Sequence, residues 1–251
     1  MSTVTKQAAF DAAAGEAFVE RVCGMLEGGA AAIMLSIGHR TGLFEAMAGK
    51  PPASSKEIAD RAGLAERYVR EWLAALVMAD IVRFYPANSS YHLPAEHAAC
   101  LTADAPLGNM AFLGQHIALL GQVQDRVLDC FKTGGGTAYE DYPCFHQIMA
   151  EDSGQTVVAQ LFYVILPLAP GVMEQLEAGI DVLDAGCGRG VALLEMARRY
   201  PRSSFTGYDL GHDAIAFAQV RVAEAGLANI RFEQRDLSHF DEDQRYDFIT
   251  T

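Results

Sequence analysis

Three glycines at alternate positions, Gly186, Gly188 and Gly190, stand where the chain could bring bare backbone against a ligand. A short apolar run containing Asp181 and Asp184 precedes them. A helical pattern follows, with Leu193, Leu194, Ala197 and Tyr200 on one face and Glu195, Arg198 and Arg199 on the other. The order predicts a strand, a glycine turn and a helix whose first N–H groups lack internal partners. Further acids mark the ends of the next two expected strands. The run 204–209 ends in Asp209, 19 residues after Gly190, and the run 229–234 is followed by Arg235-Asp236-Leu237. A carboxylate at the tip of a second strand can accept from both hydroxyls of a ribose. Asp236 is placed to accept from an adenine amino group, with the Leu237 N–H as a donor.

A nicotinamide dinucleotide site asks for Gly-x-Gly-x-x-Gly, and its third glycine position is occupied here by Val191. The pattern present, Asp184-x-Gly186-x-Gly188-x-Gly190, resembles the first motif of the Rossmann-like S-adenosylmethionine-dependent methyltransferases. Asp209 and Asp236 match that family's ribose-side and adenine-side acids, in the right order. The resemblance implies S-adenosyl-L-methionine as cofactor, contacted by Asp184, Ala185, Gly186, Cys187, Gly188, Gly190, Asp209, Leu210, Asp236 and Leu237. Thr251 is the last residue that could reach it. The implied activity is methyl transfer to a small-molecule acceptor, with no metal and no assigned catalytic residue. The alternative is a winged-helix transcriptional regulator that binds the same cofactor or a metabolite.

The elements that must position these groups read as two classes of structure. Residues 8–43 are Ala-rich and helical, with Gly28-Gly29 expected to divide them into two helices and the second to serve as a subunit interface. Ser54 with Glu57 forms a capping-box pattern that starts a helix ending near Gly63. A second helix spans 66–78, with Tyr68, Trp72 and Leu76 in its apolar stripe. Runs 81–85 and 91–93 read as a hairpin. Helix, turn, helix and wing make a winged-helix pattern. Its second helix offers Arg67 and Arg70 but also Glu66 and Glu71, a mixture unsuited to a DNA groove. Similar modules act as dimerisation domains in bacterial small-molecule methyltransferases of the resembled kind, so a homodimer through the N-terminal helices is expected and DNA is not.

Residues 101–132 and 155–168 read as further helices, separated by Gly134-Gly135-Gly136. They resemble the linker that caps the cofactor in such enzymes, which makes Tyr142, Phe145, His146 and Met149 candidates for the acceptor pocket and Tyr163 a weaker one. For His146 taken alone, a histidine with an ordinary backbone partner is the plainer reading. A short helix, 172–178, leads into the first strand, and 246–251 reads as a fourth. The expected fold is therefore α/β. A winged-helix domain (1–102) and a helical cap (103–178) precede a Rossmann-like sheet of four strands (179–251).

Composition narrows the remaining classes. With 51% hydrophobic and 20% charged residues, the 251-residue chain can bury a sizeable core. A net charge of −13 argues against a general nucleic-acid surface. Five scattered cysteines without a C-x-x-C pair read as cytoplasmic thiols, not a disulfide or zinc framework. There is no secretory pattern at the start, and the apolar segments are expected to break before membrane-spanning length. In the resembled family seven strands complete the sheet. A chain ending on strand four is expected to be a C-terminally truncated piece, with strand four left as an open edge.

Overall fold

The computed structural model describes residues 10–106, 108–238 and 246–251. The expectation of a frayed start at 1–7 falls outside them. The chain divides into two compact units, Met1–Ala118 and Leu119–Thr251.

The first unit opens with α1 (Ala12–Thr41), one uninterrupted helix capped by the Asp11 carboxylate and closed by Gly42 in the left-handed conformation. The division expected at Gly28-Gly29 does not occur. Each glycine costs a helix only about 1 kcal/mol, and neither adopts positive φ or meets a neighbour that would force a turn. The same continuity overturns the expected interruption of apolar segments. By length and hydropathy, α1 is long enough to cross a membrane, yet this says nothing of whether it does. Its C-terminal half is anchored. A Cβ at Gly38 would stand 2.5 Å from the Phe44 ring and 2.6 Å from that of Trp72, and Gly114 leaves no room for one beside the Ala32 carbonyl. Its N-terminal half exposes Phe18, Met25 and Leu26.

After α2 (Leu43–Met47) come α3 (Ser55–Ala62) and α4 (Glu66–Met78). The capping box is present: the Ser54 N–H donates to Glu57 Oε2 at 2.8 Å and the Glu57 N–H to Ser54 Oγ at 3.3 Å. Val69, Trp72, Leu73 and Leu76 form the buried stripe of α4. Tyr68, expected in that stripe, faces solvent because Val69 occupies the core-facing position beside it. The Trp72 indole donates to the Met34 carbonyl at 2.8 Å and meets Phe44 edge-on, as a core residue should. The wing is β1 (Arg83–Tyr85) paired antiparallel with β2 (Ser90–His92), shorter than the sequence pattern because Val82 and Leu93 turn into the core. A short α5 (Ala95–Ala98) follows.

Helices α6 (Gly114–Gln122) and α7 (Gln124–Thr133) replace the longer helix read over 101–132. In the second unit a 3-10 turn, Tyr139–Asp141, precedes α8 (Phe145–Ser153). The stretch expected to be helical over 155–168 is so, carried on from α8 through two π-helical turns, Gly154–Val158 and Leu161–Ile165, and closed by a 3-10 turn containing Pro167. The α/β part then runs α9 (Val172–Ala178), β3 (Asp181–Ala185), α10 (Val191–Arg199), β4 (Ser204–Asp209), α11 (His212–Ala225), β5 (Ile230–Gln234) and β6 (Phe248–Thr250). The sheet is parallel throughout, in the order β5-β4-β3-β6. Val182, Phe205, Ile230 and Phe232 bury one face against Leu193, Ala197, Ile215 and Ala218 of α10 and α11. β3 is therefore central, with β4 on one side and β6 on the other. The C-terminal tips of the strands converge where an open α/β sheet takes its ligands.

Candidate functional site

Backbone conformation shapes the turn after β3. Gly186, Gly188 and Gly190 all have positive φ, at 87°, 53° and 66°. The N–H groups of Gly186 and Cys187 donate to the Tyr208 carbonyl at 2.8 and 3.0 Å, which ties the turn to β4. At Gly186 and Gly188 the space a Cβ would take is empty, so main chain fronts a cleft of about 720 Å³. Gly190 differs. A Cβ there would strike the Phe232 ring, and the residue is buried away from the cleft. Gly190 thus packs against Phe232, and Ala185 ends β3 outside the residues that line the cleft.

Three carboxylates singled out in the sequence border one cleft. Asp184, Asp209 and Asp236 all line this cleft, with Leu210, Leu237, Cys187 and Thr251. Asp184 is tied to the neighbouring strand: the Thr250 hydroxyl donates to its Oδ1 at 2.9 Å. Burial pushes the Asp184 carboxyl above the usual range, the Thr250 hydrogen bond opposes this, and the charge of Asp209 adds to it. Burial likewise pushes the Cys187 thiol far up, reinforced by Asp184 and Asp209, which disfavours the thiolate. Asp236 is exposed; the Ser238 N–H donates to its Oδ1 at 2.9 Å and holds its carboxyl low.

Asp209 is the most connected group. Its Oδ2 accepts from the Gly188 N–H at 2.7 Å and its Oδ1 from the Gly211 N–H at 2.7 Å. A carboxylate has about four acceptor positions, so two remain for a ligand. The Leu210 backbone beside it is held by Gln234, whose side-chain amide donates to the Leu210 carbonyl at 3.0 Å.

Residues 139–165 wall the same cleft. Phe145, His146 and Met149 line it as expected. Tyr142 does not. It lines an adjoining cavity of about 650 Å³, where its hydroxyl lies 2.9 Å from Thr137 Oγ1. Tyr163, in the second π-helical turn, is 80% exposed and off the cleft. Sequence reading missed Tyr139, stacked on Phe145 at 5.1 Å, and the small or aliphatic wall of Ser153, Val157, Leu161 and Ile165. It missed Arg189 and Arg235 too, which stack over Phe217 and Tyr208 at 4.3 and 4.7 Å. The arginines sit within or beside the glycine and acid motifs; the aliphatic wall carries no sequence signal distinct from core.

Residues 176–251 match a methyltransferase domain family, and residues 29–103 match the Rv2258c-like winged HTH domain. The chain therefore combines a winged helix-turn-helix domain with an α/β methyltransferase domain. Among relatives, it is 24% identical over 145 residues to the "Probable (S)-tetrahydroprotoberberine N-methyltransferase 2" of Papaver bracteatum, covering 57% of this chain and 38% of that protein. It is 38% identical over 74 residues to the 2-heptyl-1-hydroxyquinolin-4(1H)-one methyltransferase of Mycobacteroides abscessus, covering 28% of this chain and 32% of that one. A solved structure, "PigF with SAH", superposes with a TM-score of 0.58 at 23% identity, over 92% of this chain and 70% of that one, and speaks for the fold. The matched segments span less than two-fifths of the length of both curated relatives.

Proposed function

We propose that the cleft at the tips of β3 and β4 binds S-adenosyl-L-methionine and that the protein transfers its methyl group to a small-molecule acceptor. The observation that carries this reading is the pair of bare, positive-φ glycines, Gly186 and Gly188, set between Asp184 and Asp209 on neighbouring strand tips. Two carboxylates there suit a ligand that brings an ammonium and a sulfonium. They would repel the pyrophosphate of a dinucleotide. The cofactor, when bound, supplies a methyl group already attached to a good leaving group.

The chain's own residues then bind, orient and exclude water. Asp209 offers its two spare acceptor positions to the ribose hydroxyls. Asp236 and the Leu237 N–H face the adenine, and Asp184 takes the ammonium. Phe145, His146 and Met149 cover the site, and a covered site aligns acceptor and methyl group while strengthening local electrostatics. The partition into 1–102, a cap at 103–178 and 179–251 belongs to this reading. So do a cytoplasmic setting for the five free thiols and a homodimer formed through α1. The DNA-binding alternative draws little support from α4, where Arg70 pairs with Glu66 at 3.4 Å.

Titration calorimetry tests the proposal. S-adenosylhomocysteine is expected to bind and NAD to give no heat. Asp209→Ala, which removes hydrogen bonds to a charged acceptor, should weaken binding by about 30-fold or more. A strong NAD signal, or affinity untouched by Asp209→Ala, would overturn it.

A further inference from the structure

His146 emerged from the sequence as a candidate wall of the acceptor pocket, and its polar neighbours are Asp209 and Asp213. It lies in the first turn of α8, with its side chain only 11% exposed. Its Nδ1 is 2.9 Å from Asp213 Oδ1 and its Nε2 4.0 Å from Asp209 Oδ1. An ionised carboxylate only accepts, so the Nδ1 proton points at Asp213; Nε2 then bears a lone pair, and at 4.0 Å the ring walls Asp209 by contact, without a hydrogen bond. Underneath lies Gly211. Its φ of −73° would suit any residue, yet a Cβ there would collide with the imidazole and stand 3.1 Å from Asp209 Oδ1. That glycine is required for space, and the space is filled by His146. Phe145 and Tyr139 close the ring's remaining sides, at centroid distances of 5.4 and 6.0 Å.

Local backbone leaves the position of α8 open. The helix is reached through Gly134 and Gly135, both at positive φ, and its N-cap is Cys144 with no side-chain cap hydrogen bond. Asp213 is 66% exposed, and an ion pair with such a partner adds little stability. What the contact does supply is direction.

We propose that His146 is a positioning residue for the Asp209 carboxylate, wedged between Asp213 and Asp209 over Gly211 so that seating α8 and aiming Asp209 are one event. The inference rests on the reading of Asp209 as the ribose acceptor. It adds that the cap reads the nucleoside through that carboxylate and does not merely lie over it.

A double-mutant cycle on the full chain separates the two, with affinity for S-adenosylhomocysteine read by calorimetry in wild type, His146→Ala, Asp209→Ala and the double variant. His146→Ala should lose about tenfold in affinity when Asp209 is present and less than about threefold when it is Ala. A merely structural histidine would cost the same in both backgrounds, which overturns the proposal. So does unchanged affinity in His146→Ala. His146→Gln, which keeps a polar side chain on α8 but removes the ring over Gly211, should lose affinity like His146→Ala, and decides the matter if that variant does not fold; wild-type affinity there counts against the proposal. Absence of binding by the wild-type chain removes the cofactor reading and this inference together, and so is told apart from failure of the inference alone.

Discussion

The carboxyl of Asp184 sits half-buried under the glycine turn, held by Thr250 and raised above its ordinary range chiefly by burial. A raised carboxyl binds its proton more tightly folded than unfolded. Its contribution to stability is therefore full below the unfolded value and is lost as pH rises through the folded one. Ionising it therefore costs the empty fold stability, a cost that the ammonium of the proposed ligand would offset. Two outcomes follow. Asp184→Asn should raise the melting temperature of the ligand-free protein at neutral pH while weakening S-adenosylhomocysteine binding. In the wild type, affinity should fall as pH drops through the raised value, with proton release on binding visible as buffer-dependent heat in calorimetry. Equal affinity on both sides of that transition would mean that Asp184 does not meet the ammonium. At this scale the sequence named the acids but not their states, because burial and the Thr250 hydroxyl reach Asp184 only through the β3–β6 pairing.

At the scale of elements, the three glycines of one motif have separate tasks. Gly186 and Gly188 keep the cleft open, and Gly190 lets α10 approach the Phe232 ring of β5. Gly190→Ala meets both a left-handed backbone and a side-chain collision, and should destabilise the protein by roughly 3 kcal/mol. Gly188→Ala meets the same backbone strain but no neighbour, so its melting temperature should fall less while S-adenosylhomocysteine binding suffers more. Thermal melts and calorimetry on the pair check this; the reverse ranking would return Gly190 to the ligand. Elements with strong local signals, such as the Ser54–Glu57 cap and α9, were legible in full. The break at Gly28-Gly29 was misread because a glycine only weakens a helix unless the chain must turn there, and α1 goes straight on.

For the whole molecule, the question is what covers the N-terminal half of α1. Phe18, Val19, Met25 and Leu26 are exposed there, with Leu26 at 70%. Glu16, Glu20, Arg21 and Glu27 interrupt the apolar surface, which suits a protein partner better than lipid. The homodimer proposed through this helix predicts that Leu26→Glu with Phe18→Glu shifts the protein from dimer to monomer in analytical ultracentrifugation. The variant should leave S-adenosylhomocysteine affinity unchanged. A wild-type chain that sediments as a monomer, or floats with lipid vesicles, would set the dimer aside.

From residue order alone came the turn chemistry, the alternation of strands and helices and the acids at the strand tips, since each depends on neighbours close along the chain. The tertiary structure decided which of those groups face one cleft, which glycine packs against Phe232, and which carboxylates stand beside His146. Such assignments depend on contacts between residues tens of positions apart, and helical or strand periodicity carries no record of them.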